Sequence, residues 1–288
     1  MQVVIDTMLP LLAIVGLGFL IEGRTRISME SLSQLALLVC SPCLIFAELA
    51  RDHGAARGGL TIVGATLFIM LATGAGAALV LRLRGRSARG LILPVTFWNA
   101  GNLGLSACRL ARGEEGFEAA ALVFVTVATA QALLSGLIVG GQASLGRVLR
   151  MPIVHAAALG ILCSLSGLAV PRLVMEPIGI LGEAAIPLLL VVLGQQLRRL
   201  RIARPAPALF VCAMRQGVGL AAALLFVTVF SVRGVLRDVL LIESIMPPAI
   251  LSLMFAQRFD AQPEDVASAI VAGSLLSLLL LPLVLILL

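Results

Sequence analysis

Asn99-Ala100-Gly101-Asn102-Leu103-Gly104 lies inside an apolar stretch, Leu91 to Cys108, that holds no charged residue. Glycine lets a backbone unwind and approach a ligand closely, and each asparagine brings both a donor and an acceptor. The segment therefore reads as a break in a membrane-crossing helix. A second break, Ser244-Ile245-Met246-Pro247-Pro248-Ala249, interrupts the apolar stretch between Val239 and Gln257. There Pro247 and Pro248 remove two backbone donors and cannot continue a regular helix. Lipid cannot satisfy the N–H and C=O groups freed by such a stop, so the break must be buried in protein or line a cavity. Paired breaks at corresponding places in two halves point to a transporter's binding site.

Composition supports a membrane setting for both breaks. The chain of 288 residues is 60% hydrophobic and only 12% charged, with a mean hydropathy of +1.10. A soluble protein carries about 25% charged residues. Gly58–Leu81, Ala119–Gly146, Pro152–Pro171 and Val266–Leu288 contain no charged side chain, and each is long enough to cross about 30 Å of hydrocarbon. The net charge of +6 comes entirely from arginine, since the chain has no lysine. Most of these arginines fall in short loops between spans, which is topological information and not the footprint of a nucleic-acid partner. The N-terminus lacks the basic region of a secretory signal, so the first span reads as retained.

Ten spans are expected, at about 3–21, 32–50, 59–81, 91–110, 119–141, 152–170, 178–197, 206–230, 239–257 and 265–288. The fold class is an all-α polytopic membrane protein formed by a single transmembrane domain over 1–288. Arginine placement orients it, with Arg82/Arg84/Arg86/Arg89 and Arg198/Arg199/Arg201/Arg204 marking the cytoplasmic loops. Both termini are then extracytoplasmic, in a multi-pass protein of the cell membrane. A shift of 145 residues carries Pro42 onto Pro187 and Asn102 onto Pro247. Halves of about 1–141 and 150–288, each of five helices, make a 5+5 inverted repeat with discontinuous helices 4 and 9.

The candidate substrate-binding residues are Asn99, Gly101, Asn102 and Gly104 at the first break, and Ser244, Pro247 and Pro248 at the second. Ser41, Pro42 and Pro187 interrupt spans 2 and 7 at matching places. If the two breaks cross, half-helix N-termini favour an anion there. Ionisable residues inside a membrane are expensive unless they pair or face water. Glu243, beside the second break, is the candidate for coupling or for carrying a proton. Arg215, about ten residues into span 8, needs a carboxylate, a carbonyl or a substrate anion as partner; structural ion pairing fits both residues equally. Asp6, Glu48 and Glu183 lie near span ends, where they can be solvated. His53 and His155 are isolated and make no metal site. Cys40, Cys43, Cys108, Cys163 and Cys212 read as small buried residues, because C-x-x-C at 40–43 has no second pair or βαβ context. Gly16 and Gly18 read as a helix-packing pair. No nucleotide loop, hydrolase elbow or metalloprotease motif is present, so an enzyme is not expected.

Asn99-Ala100-Gly101-Asn102-Leu103-Gly104-Leu105 resembles the N-x-G-x-x-G-L-P signature of the auxin efflux carrier family. Pro42 to Phe46, Pro187 to Gly194 and Met246 to Ala249 resemble its other recurring segments at the expected spacing, over nearly the whole chain. The resemblance implies a fold related to the bile acid:sodium symporters, with helices 4 and 9 crossed. It implies transport of small organic anions by an elevator-type motion. Helices 1, 2, 6 and 7 would form the scaffold, the others would move, and the protein would be a homodimer by analogy. Ser106 stands where the family usually has proline. The large loop of long plant carriers is absent between the halves, so the chain resembles a short, bacterial-type member.

The leading expectation is a secondary transporter or exporter of small carboxylates, malate-like or auxin-like, bound where spans 4 and 9 cross. No cofactor is expected beyond coupling to H+ or Na+, which the sequence leaves open. The alternatives are a sodium- or proton-coupled carrier of another substrate on the same fold, or a membrane enzyme or sensor without transport.

Overall fold

The structure, a computed structural model, describes residues 2–24, 28–51, 58–85, 89–140, 145–199 and 201–288. His53, Arg57 and Arg86 lie outside the described residues. Among the described residues every regular element is helical. Seven helices are long and apolar enough to cross a membrane: Val4–Ile21, Glu30–Ala50, Gly59–Leu83, Ala100–Ile138, Arg172–Arg199, Pro205–Val229 and Pro263–Leu287. Pro152–Ser166 is apolar but shorter. This differs from ten separate long spans for a local reason. The two stretches containing the breaks are divided into pieces, and expected spans 4 and 5 share one continuous element. Within that element, Leu105–Ile138, Gly113 leaves the helical region at φ 63 and ψ −148, so the helix bends there.

Three π-helical turns interrupt the longer helices: Ala36–Cys40, Ala100–Gly104 and Ala213–Val218. Each precedes or carries a residue singled out by its chemistry, the usual setting for such turns. Pro42 explains the first, because it cannot donate to the carbonyl four residues before it. Instead the Ser41 N–H and its hydroxyl both donate to Ala36 O, the hydroxyl at 2.7 Å.

Packing gathers the helices into two groups. Gln2–Ile21 runs along Ala185–Arg199, and Ser41–Arg51 packs on Pro152–Ser166 and Arg172–Glu183. The first of these contacts is backbone-close. A Cβ at Gly18 would meet the Val191 carbonyl, and one at Gly194 would meet the Val15 carbonyl. Gly18 thus acts as the packing glycine, whereas nothing lies near Gly16. Glu22 pairs with Arg199, and Arg198 stacks 5.3 Å over the Phe19 ring, fastening the ends of these two helices.

In the second group, Gly59–Leu83 packs on Arg89–Thr96, Leu105–Ile138 and Gly219–Val229. Pro205–Cys212 lies along Pro263–Leu287, and Gly234–Ser244 lies against Leu105–Ile138. The groups meet where Ala185–Arg199 touches Ala100–Gly104 and where Gln2–Ile21 touches Leu105–Ile138. Large apolar side chains such as Leu60, Leu71, Leu173 and Leu279 point outward, as expected of a surface solvated by lipid and not by water.

Candidate substrate site at the helix crossing

The two breaks meet. After the Arg89–Thr96 helix, Phe97 to Asn99 leave the helix and pair antiparallel with Pro247 to Ala249, with Trp98 opposite Pro248. The Asn99 N–H donates to Pro247 O at 2.7 Å, and the Ala249 N–H donates to Phe97 O at 3.0 Å. Each break thereby satisfies backbone groups that the other leaves open, which resolves the cost of ending helices inside lipid. Pro247 and Pro248 fit because neither has to donate: one accepts, and the other presses its ring on Gly273, where a Cβ would collide with it.

Beyond the crossing, Asn99 caps the next turn. Its Oδ1 accepts from the Asn102 N–H at 2.9 Å, and its carbonyl accepts from the Gly104 N–H at 3.2 Å. The Asn102 carboxamide makes no hydrogen bond to any described residue, although the side chain is only 8% exposed. Ser106 donates its hydroxyl to Asn102 O at 2.9 Å. The two glycines face protein atoms. Gly101 lies against the Phe124 ring, and Gly104 lies against the Glu243 carboxylate, where a Cβ would collide.

The end of the Gly234–Ser244 helix is accounted for carbonyl by carbonyl. Leu241 O accepts from the Ser244 hydroxyl at 2.7 Å, and Ile242 O and Glu243 O accept from the Ile245 and Met246 N–H groups. Ser244 O accepts from Arg215 Nη2 at 2.8 Å, and Ile245 O accepts from the Ser277 hydroxyl at 2.6 Å. Gln216 supports Ser277, donating to it at 2.8 Å and to Gly273 O at 2.7 Å. The π turn at Ala213–Val218 thus supplies Arg215 to the broken helix directly and Gln216 to Ser277, which reaches it from Pro263–Leu287.

Trp98 links the charges. Its Nε1–H donates to Glu243 Oε2 at 2.8 Å, while the Arg215 guanidinium lies 4.4 Å from its ring centroid. All three side chains are essentially excluded from solvent. Arg215 therefore has a carbonyl and an aromatic face as partners, a cation–π contact worth about 2 kcal/mol when desolvated. Glu243 Oε1 has no hydrogen-bond partner among the described residues.

A family model described as a membrane transport protein matches residues 3–140 and 141–285. The chain belongs to this family, that of the auxin efflux carriers. Auxin efflux carrier component 1 of Arabidopsis thaliana is 29% identical over 139 residues, which are 46% of this chain and 22% of that protein. Probable auxin efflux carrier component 1b of Oryza sativa subsp. japonica is 25% identical over 139 residues, 46% of this chain and 25% of that protein. The chain thus aligns with no more than about a quarter of either plant relative's length.

The other residues singled out by their sequence context are spread out. Ser41 is buried with its hydroxyl committed to Ala36 O, and Pro42 beside it is buried too. Pro187 is exposed in the first turn of Ala185–Arg199, although that helix itself reaches the Ala100–Gly104 turn. Asp6 and Glu183 are exposed, in keeping with span ends, but Glu48 is buried. All five cysteines are free. Three side chains of the crossing and its surroundings do not stand out in the sequence: Trp98, Gln216 and Gln131, whose Nε2 lies 3.1 Å from Ser252 Oγ. Trp98 carries a usable signal, being the chain's one tryptophan and the residue directly before Asn99. The glutamines carry none, since a lone glutamine in an apolar helix does not reveal its partner.

Proposed function

We propose that this protein is a secondary transporter of small organic anions, malate-like or auxin-like carboxylates, bound at the crossing. The observation that carries the reading is the antiparallel pairing of Phe97–Asn99 with Pro247–Ala249 beside the unpaired, buried Asn102 carboxamide. A carboxamide N–H is a suitable donor for a carboxylate. Asn99 holds the turn in place, Gly101 and Gly104 let Phe124 and Glu243 pack close to it, and Ser244, Pro247 and Pro248 end the facing helix. Ser41, Pro42 and Pro187 serve as shaping residues at a distance, not as direct ligands.

The architecture in this reading has ten membrane-crossing segments in two inverted halves of five, with the two crossed segments discontinuous. The grouping of helices supports an elevator motion. Gln2–Ile21, Ser41–Arg51, Pro152–Ser166 and Ala185–Arg199 would form the scaffold, and a homodimer would assemble through it. The mobile unit would carry the crossing past the scaffold, exposing the site on each side in turn. The family to which the chain belongs is a membrane transport family, and the plant relatives are named as auxin efflux carriers. The test is uptake into proteoliposomes of labelled malate and indole-3-acetate, with wild type beside Asn102→Ala. Saturable flux lost in the variant is expected; equal flux from a well-folded variant overturns the site.

A second reading is favoured by Glu243, buried at the crossing with one oxygen unpaired. Here the same fold couples the substrate to H+ or Na+ through this carboxylate. Flux driven by a pH or sodium gradient in wild type but not in Glu243→Gln would support it.

A further inference from the structure

A second polar site lies away from the crossing, at the far end of the helix that carries Glu243. Between the end of Gly219–Val229 and the start of Gly234–Ser244 is a cavity of about 370 Å³ lined by Val227, Thr228, Ser231, Val232, Arg233 and Arg237. Among the described residues its polar wall is short of negative charge. Arg233 is exposed and has no ion pair with any described residue. Arg237 comes only within 3.8 Å of Asp238 Oδ1, while Asp238 Oδ2 lies 2.7 Å from Arg112 Nε. Among the described residues, the two guanidinium groups at the cavity edge thus have at most one shared carboxylate between them.

The local backbone adds to this. The Gly234–Ser244 helix begins without a side-chain cap and has no acidic residue in its first turn, so its leading N–H groups and dipole favour an anion. Ser231 holds a left-handed backbone, φ 52, at the tight reversal between the helices.

The apolar surroundings distinguish a lipid from a free anion. Leu224, Leu225, Val229 and Phe230 stand exposed on the adjoining helix, Val229 and Phe230 each by more than half. Phe230 stacks on Phe226 with centroids 4.4 Å apart, giving a broad hydrocarbon strip that leads up to the arginines. The Gly234–Ser244 helix is 11 residues long, a rise of about 16 Å. Taking the crossing as the membrane midplane, this places the arginines at about the boundary of a 30 Å hydrocarbon core, where phosphates lie.

We propose that this cavity binds the phosphodiester of an anionic phospholipid. The guanidinium groups of Arg233 and Arg237 and the Ser231 hydroxyl meet the phosphate, and an acyl chain follows Val229, Phe230 and Leu225. Guanidinium forks match phosphate oxygens in pairs. An anionic lipid is preferred over a choline lipid because the latter brings its own cation to a site that already holds two. The bound headgroup would sit at the entrance of the helix that presents Glu243, linking lipid composition to the position of the crossing.

The test uses the full chain in detergent, incubated with equal amounts of dioleoyl phosphatidylglycerol and dioleoyl phosphatidylcholine, with retained lipid read by native mass spectrometry. Wild type is expected to prefer phosphatidylglycerol, and each of Arg233→Gln and Arg237→Gln to weaken that preference by about fivefold. Arg82→Gln/Arg84→Gln, on a different helix, should retain it. Gel filtration and thermal melting identify any variant that fails to fold, and Arg233→Gln, on an exposed residue, keeps the test available if Arg237→Gln does not fold. Absence of a preference in wild type, an unchanged preference in folded Arg233→Gln, or equal loss in Arg82→Gln/Arg84→Gln overturns the site. Full displacement of the lipid by millimolar inorganic phosphate overturns the lipid assignment in favour of a free-anion site.

Discussion

Replacing Glu243 by alanine removes the carboxylate that accepts from the Trp98 indole at 2.8 Å. An indole N–H left unpaired in a buried place costs about 1–3 kcal/mol. Arg215, held by the Ser244 carbonyl and the Trp98 ring, keeps both of its contacts, so the orphaned indole sets the expected destabilisation at about 1–3 kcal/mol. Glu243→Gln keeps the shape and an acceptor for the indole and loses only the charge, so it should fall between wild type and alanine. The chain has one tryptophan and no tyrosine, so intrinsic fluorescence reports on the crossing alone. Denaturant unfolding in detergent, followed by Trp98 emission, gives stability and local environment in one experiment. If Glu243→Ala unfolds at the wild-type midpoint with an unchanged emission maximum, the carboxylate does not hold the indole and the reasoning fails.

Three further outcomes rest on contacts elsewhere. Gly104→Ala should push the Glu243 carboxylate off Trp98, shifting the fluorescence toward that of Glu243→Ala and costing about 1–3 kcal/mol; a wild-type spectrum would contradict the close approach. Gly194→Leu should open the contact between Gln2–Ile21 and Ala185–Arg199, where even a Cβ meets the Val15 carbonyl; a melting temperature at the wild-type value would refute it. The Arg112–Asp238 pair is electrostatic, since Nε lies 2.7 Å from Oδ2 without hydrogen-bond geometry. Arg112→Met should therefore destabilise by about 3 kcal/mol, and adding Asp238→Leu should recover much of it; a double variant no more stable than Arg112→Met would argue against the pairing.

The breaks are legible because glycine, asparagine and proline announce a stop in any apolar helix, whatever surrounds it. The membrane class is legible for the same kind of reason, a charged fraction too small for water. What covers the breaks is not legible. Gly101 and Gly104 read as room for a ligand, yet they make room for Phe124 and Glu243. Ser41 reads as a residue able to reach a ligand, yet a π turn directs its hydroxyl to Ala36 O. Glu48 reads as an interfacial residue, yet it is buried. In each case the local pattern singles out the residue, and the surroundings it meets are set by the packing of neighbouring helices.

The sequence by itself determined that this chain is helical, lies in a membrane, and breaks two of its helices at Asn99–Gly104 and Ser244–Ala249. Those properties depend on side-chain transfer energies and backbone preferences that act residue by residue. Only the tertiary structure decided that the breaks pair as a short antiparallel bridge and that Trp98 bridges Arg215 and Glu243. It also decided that Arg215 and Ser277 complete the end of the Gly234–Ser244 helix. The bridge joins residues from opposite halves of the chain, Phe97 with Ala249 and Asn99 with Pro247. Buried polar groups must find partners wherever the packed helices bring them, and that constraint is invisible to any local reading.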